Sequence, residues 1–182
     1  MRFSYQTEQW VPYPVEEVFA FFAGPNNLPL LLPPWQNARI EDTSIVPPSP
    51  APNATSAQAT TTAGTGTGVT LTFRPFPYSP VRVRWQAEIT EFVWNDHFCD
   101  RQLRGPFAYW NHCHRVRRVD RLGIDVTLIV DDVEYELPFG PIGRLAHRLF
   151  LRRQIERAFV FRQMQLSKIL ASARQPSTPQ PE

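Results

Sequence analysis

Cysteine is nearly absent from this chain, 2 of 182 residues, and glycine is scarce at 8. Two thiols cannot make the disulfide framework that staples a small secreted domain. The sequence holds no Cys-x-x-Cys pair, no His-Glu-x-x-His, no glycine-rich phosphate loop and no nucleophile elbow. The usual signs of structural zinc, a zinc protease, a nucleotide enzyme and a serine hydrolase are therefore missing. No apolar run approaches the roughly 20 residues of a membrane span, and Met1 to Trp10 lacks the apolar core of a signal peptide. A cytoplasmic setting without stable membrane insertion is the expectation, and the sequon Asn53-Ala54-Thr55 is read as accidental. Charge of one sign is also lacking. A net charge of +2 with 20% charged residues does not make the basic surface that nucleic acid requires.

What is present is core-forming material. Hydrophobic residues make up 42% of the chain and aromatics 13%, enough for one packed domain of ordinary size. Residues 2–10 read as a strand. Pro14, Glu16 and Glu17 at one end and Gly24-Pro25 at the other bracket a short helix, and Asn26–Leu32 reads as a second, stopped by Pro33-Pro34. Trp35–Val46 is strand-like. Pro47–Gly68, made largely of Pro, Ala, Thr, Ser and Gly, reads as a flexible insertion between strands, and 175–182 as a disordered tail. The domain is expected to run from 1 to 174.

After the insertion the period becomes two. Val83, Trp85, Ala87 and Ile89 alternate with polar residues. His97–Arg104 and Ala108–Val119 flank Gly105-Pro106 as a hairpin, and a further strand runs from Gly123 to Leu137. From Ile142 to about Ala173 the spacing is helical, with Leu145, Leu149, Ile155, Phe159, Leu166 and Leu170 close to one face. Such a helix spans roughly 45 Å, and only the strands can cover its apolar stripe. The expectation is an α+β helix-grip fold: a curved antiparallel sheet around one long C-terminal helix, two short N-terminal helices at one end, and a cavity between sheet and helix.

The order of elements resembles the START-like, SRPBCC superfamily, which includes the birch pollen allergen, lipid-transfer START domains and polyketide cyclases. Pro14-Val15-Glu16-Glu17-Val18-Phe19 is similar to the entry into the first helix of many bacterial members. A narrower likeness, to bacterial ligand-binding SRPBCC-domain or cyclase/dehydrase-like proteins, rests on Asp100-Arg101-Gln102, Gly105-Pro106-Phe107, Trp110–His114 and Val133–Gly140. The resemblance implies a pocket for a hydrophobic small molecule (a lipid, polyketide-like or aromatic metabolite) with no cofactor. A carrier is preferred over a cyclase or dehydratase, with a partner-binding module of filled cavity as a third reading.

The hairpin supplies the candidate site. A tight turn centred on Pro106 sets Asp100 across from His112 and Gln102 across from Trp110, so Phe98, Asp100, Gln102, Trp110, His112, His114 and Val116 share a face. Asp131 comes opposite His112 or His114 provided that it faces inward. Val126, Leu128 and Val130 take the other face, with a bulge near Asp131-Asp132 as a way to exchange the two. Trp85 and Trp110 are expected as apolar wall. Asp100, Gln102, His112, His114, Asp131 and Tyr135 are expected as polar anchors, with no catalytic residue assigned. His112-x-His114 has a workable metal spacing, but a hydrogen-bonded pair is expected in preference to a metal site. Cys99 and Cys113 fall almost opposite one another and are expected as free buried thiols rather than a disulfide. The helix arginines Arg144, Arg148, Arg152, Arg153 and Arg157 are expected as a solvated face rather than a contact for membrane or nucleic acid.

Overall fold

A computed structural model describes residues 1–49, 62–121 and 123–173. Its strands are β1 (Phe3–Val11), β2 (Arg39–Ser44), β3 (Gly68–Phe73), β4 (Val83–Val93), β5 (His97–Arg104), β6 (Tyr109–Arg121) and β7 (Ile124–Glu136). They form one antiparallel sheet in the order β1-β7-β6-β5-β4-β3-β2. Helix α1 (Val15–Phe22) and two short 3-10 turns follow β1. The chain closes with α2 (Gly140–Ala146), a π-helical turn (His147–Leu151) and α3 (Arg152–Ala173) in unbroken succession. This is the expected helix grip.

Alternation along the strands builds the concave face. On β7, Thr127, Ile129, Asp131, Val133 and Tyr135 are all buried, and the residues between them are not. Register shifts between Gln86 and Ala87 and between Ile89 and Glu91 bend β4, as bulges do. After the second shift Phe92 turns inward against Phe19 of α1. Ile155, Phe159, Leu166 and Leu170 of α3 are the buried stripe that the sheet grips.

Three expectations are corrected. Leu145 and Leu149 are exposed, not buried with Ile155 and Phe159. On an ideal helix of 100° per residue, Leu149 already stands about 120° from Ile155, and the wider π-helical turn between them increases the offset. One end of the expected insertion is packed. Pro50–Thr61 lie outside the described residues, but Thr62, Ala63 and Thr67 are buried. Gly64 N–H donates to the Val46 carbonyl and Ala63 N–H to the Ala23 carbonyl, which knits the end of the insertion to α1 and the strand ends. The expected tail also lies outside the described residues. Finally, Cys99 and Cys113 are joined in a disulfide rather than free. They are directly paired on β5 and β6, on the face opposite to Asp100 and His112, so the register itself brings the two sulfurs together.

Candidate functional site

Between α3 and the sheet lies a cavity of about 390 Å³. Its wall is mostly aromatic and aliphatic. Trp85 of β4, Phe107 of the β5–β6 turn and Trp110 of β6 form one aromatic cluster, with Trp85 and Trp110 edge to face at 5.0 Å. Phe159 and Ile155 of α3 face them, and Leu28 and Leu31 of the first 3-10 turn close another side. Polar wall is limited, and it includes Asp100 and His112.

The hairpin register holds at its centre, where Asp100 pairs with His112, and on the next ladder His114 pairs with Asp131; the β5–β6 ladder ends at Arg101 and Asn111, short of the expected pair of Gln102 with Trp110. Pairing of β6 with β7 is continuous through this region, so Asp131 faces inward without the bulge that had been its alternative. The odd-numbered residues of β7 are the inner set, and Val126, Leu128 and Val130 lie on the outer face.

Asp131 is the hub. Its Oδ1 accepts from His112 Nε2 at 2.9 Å and from His114 Nδ1 at 2.5 Å, and Arg162 of α3 approaches to 3.8 Å. The other nitrogen of His112, Nδ1, lies 3.1 Å from Asp100 Oδ2. A line of hydrogen bonds thus runs from Asp100, at the cavity wall, through His112 to Asp131 and His114 behind it.

These contacts divide the two histidines. Burial pulls the His112 pKa down, but hydrogen bonds and charge from Asp100 and Asp131 outweigh it and raise the value to about 9. His112 is therefore an imidazolium held between two carboxylates. For His114, burial dominates, the nearby Arg162 and His112 charges add to it, and the pKa falls to about 4 despite Asp131. Asp131 is held well below the usual carboxylate range, because its histidine and arginine partners overcome the burial that would raise it. The neutral His114 donates through Nδ1, and its Nε2 is buried without a partner among the described residues.

His112, His114 and Asp131 offer ligand atoms within 4.8 Å of one another, close enough to converge on one cation. The carboxylate oxygen nevertheless sits between the two rings at hydrogen-bond distance, and a guanidinium already neutralises it. That arrangement suits protons better than a cation.

Of the eight residues expected at the site, Trp85, Asp100, Trp110 and His112 line the cavity. The other four do not. Gln102 braces the hairpin, its side chain bonding both the carbonyl and the N–H of Phe107. His114 and Asp131 form the layer behind His112. Tyr135 packs beside Trp110 and Phe107, and its hydroxyl, with a pKa pushed up to about 12 by burial, is hydrogen-bonded with His147 Nε2 at 2.9 Å. Each of the four points inward, but at a depth that period-two counting does not supply.

Arg162 was not anticipated. It lines the cavity, covers the ring of Phe22 at 5.0 Å and pairs with Asp131. The signal was present, since Arg162 lies three residues after Phe159 and four before Leu166, a lone charge on the apolar stripe of α3.

No family model matches the chain, and no curated protein matches it. Solved structures do. The Zhui aromatase/cyclase of Streptomyces sp. R1128 aligns at a TM-score of 0.69 and 13% identity, covering 97% of this chain and 98% of that one. The norcoclaurine synthase of Thalictrum flavum, in complex with dopamine and hydroxybenzaldehyde, aligns at 0.58 and 16%, covering 97% and 90%. A protein of Thermus thermophilus aligns at 0.62 and 17%, covering 94% and 99%. At these identities the likeness establishes the fold, and the resemblance read from the sequence is borne out at that level.

Proposed function

We propose, for a chain with the helix-grip fold of the START-like, SRPBCC superfamily, that it binds and carries a hydrophobic small molecule. The observation that carries this reading is the cavity itself: a mainly aromatic and aliphatic chamber with a few charged groups in its wall, among them the hydrogen-bonded Asp100 and His112, and Arg162. A chamber so lined rewards the transfer of an apolar body from water, while a few fixed polar groups orient one end of it. Trp85, Trp110 and Phe107 are the flat surfaces against which that body packs. Asp100 accepts from a hydroxyl or amine of the ligand, and Arg162 offers donors to a carbonyl. His114, Asp131, Gln102 and Tyr135 hold those groups in place without touching the ligand.

A second reading, a cyclase or dehydratase acting in the same cavity, is favoured by the hydrogen-bonded line from Asp100 to His114. An imidazolium between two carboxylates is a reservoir from which a proton can be delivered through Asp100 to a bound carbonyl or hydroxyl. The aromatase/cyclase and the norcoclaurine synthase among the similar structures give this reading a precedent on the same fold.

Native mass spectrometry of freshly purified protein tests the first reading and separates it from the second. The carrier predicts one apolar compound bound at one per chain and released unchanged on denaturation. Conversion of that compound during incubation would select the enzyme. Protein that carries no compound and takes up none from a set of apolar and aromatic candidates would overturn both.

A further inference from the structure

One end of the grip has a surface that neither the fold nor the cavity needs. The ends of β3, β5 and β7 and the starts of β4, β6 and α2 meet there, because the sheet is antiparallel throughout. Part of the cavity lining belongs to the same end: Pro75 and Phe76 of the β3–β4 connection, Leu137, and Phe150, whose ring meets Phe76 at 6.0 Å. Around it, large apolar side chains stand in solvent. Tyr78 is 97% exposed, Phe139 78%, Ile142 72% and Leu149 66%. Ile142, Leu145 and Leu149 follow one another at helical spacing, so they form a stripe facing away from the sheet. Isolated exposed hydrophobics need no explanation, but a set gathered at one end of the fold does.

The charge around that stripe is predominantly positive. Arg144, Arg148, Arg152, Arg153 and Arg157 accompany it, against the single acid Glu156. Among the described residues, only Arg152 of these five is in an ion pair, with Glu156 at 3.0 Å.

We propose that this end is a peripheral docking surface for an anionic lipid bilayer. Apolar residues flanked by guanidinium groups suit the boundary between headgroups and acyl chains: the first enter it, the second engage lipid phosphate or carboxylate. The charge decides between occupants. A second copy of the chain would set two arginine clusters against each other, and a nucleic acid would leave the apolar stripe uncovered. No described helix is long and apolar enough to cross a membrane, so the contact is at the surface. Docked this way, the cavity lining at this end, Phe76 and Phe150, lies beside the lipid, which offers a hydrophobic ligand a path that avoids water. That last consequence rests on the carrier reading, whereas the docking does not.

The test is co-sedimentation of the full chain with large unilamellar vesicles, either of phosphatidylcholine alone or with a third phosphatidylserine. The proposal expects binding to the second kind only, weakened by salt. It expects at least a tenfold loss in Ile142→Asp/Leu149→Asp and in Arg144→Glu/Arg148→Glu, with the melting temperature and the uptake of an apolar dye into the cavity unchanged. Absence of binding to phosphatidylserine vesicles, or variants that bind like the parent, would overturn it. So would concentration-dependent self-association abolished by Leu149→Asp, since that assigns the face to a second copy. Dye uptake reports on the carrier reading separately, so the failure of one is not mistaken for the failure of the other.

Discussion

His112 and His114 are two residues apart, both buried, and hydrogen-bonded to the same oxygen, yet they sit on opposite sides of neutrality. The difference is the second carboxylate, since His112 reaches Asp100 as well and His114 does not, together with the Arg162 and His112 charges that act against a proton on His114. Stability should depend on pH accordingly. His112 has its folded pKa raised, so its contribution is full below its ordinary value of 6.5 and is lost as pH rises through about 9. The displacement corresponds to about 3 kcal/mol. His114 has its folded pKa depressed, so its contribution is full above 6.5 and is lost as pH falls towards about 4. The melting temperature should therefore peak near pH 6.5 and fall on both sides. His112→Phe should flatten the alkaline limb and cost more stability than Asp100→Ala, because it takes a donor from the fully buried Asp131. Asp100 is partly open to solvent, and its loss leaves His112 one carboxylate. Thermal melts across this range check both statements, and an unchanged alkaline limb in His112→Phe would refute the assigned imidazolium.

At the scale of elements, the hairpin was the most legible part of the chain. The Gly105-Pro106 turn and strict alternation were enough to pair Asp100 with His112, because a register slip would have reversed every side chain of a half-buried strand. The face of β7 was ambiguous because that strand has apolar residues on both sides, Val126, Leu128 and Val130 outside and Ile129 and Val133 inside. Its neighbours settle it: β1 and β6 both pair with it in continuous register. The long helix misled in a different way. Apolar residues at helical spacing continue from Ile142 to Leu170, but Leu145 and Leu149 stand in solvent while Ile155, Phe159, Leu166 and Leu170 are buried. Spacing reports which residues share a face and does not report whether anything covers it. Phe159→Asp should thus destabilise by about 3 kcal/mol or more, since it buries an unpaired charge, while Leu149→Asp should melt like the parent. Chemical denaturation of the two variants separates them, and equal losses would mean that Leu149 is packed after all.

At the scale of the molecule, the order of elements was readable because each segment had a single period and a clear stop. The long C-terminal stripe then left the sheet as the one surface able to cover it. Cavity depth was not readable. Gln102, His114, Asp131 and Tyr135 share the inward face with the residues that line the chamber, but period-two spacing does not say which of them reach open space. The disulfide shows the same limit in another form, since the register was read correctly and the bond was not. The central claim, that the space between α3 and the sheet takes up an apolar ligand, is tested most directly by filling it. Ala158 lies on α3 at the cavity wall, and Ala158→Trp places an indole in the chamber without adding charge. A fluorescence titration with an apolar probe should show saturable binding of one probe per parent chain, and at least a tenfold weaker binding to an Ala158→Trp variant with the parent's melting temperature. Equal affinity in the two proteins would contradict the account, because the probe would then be bound outside the cavity.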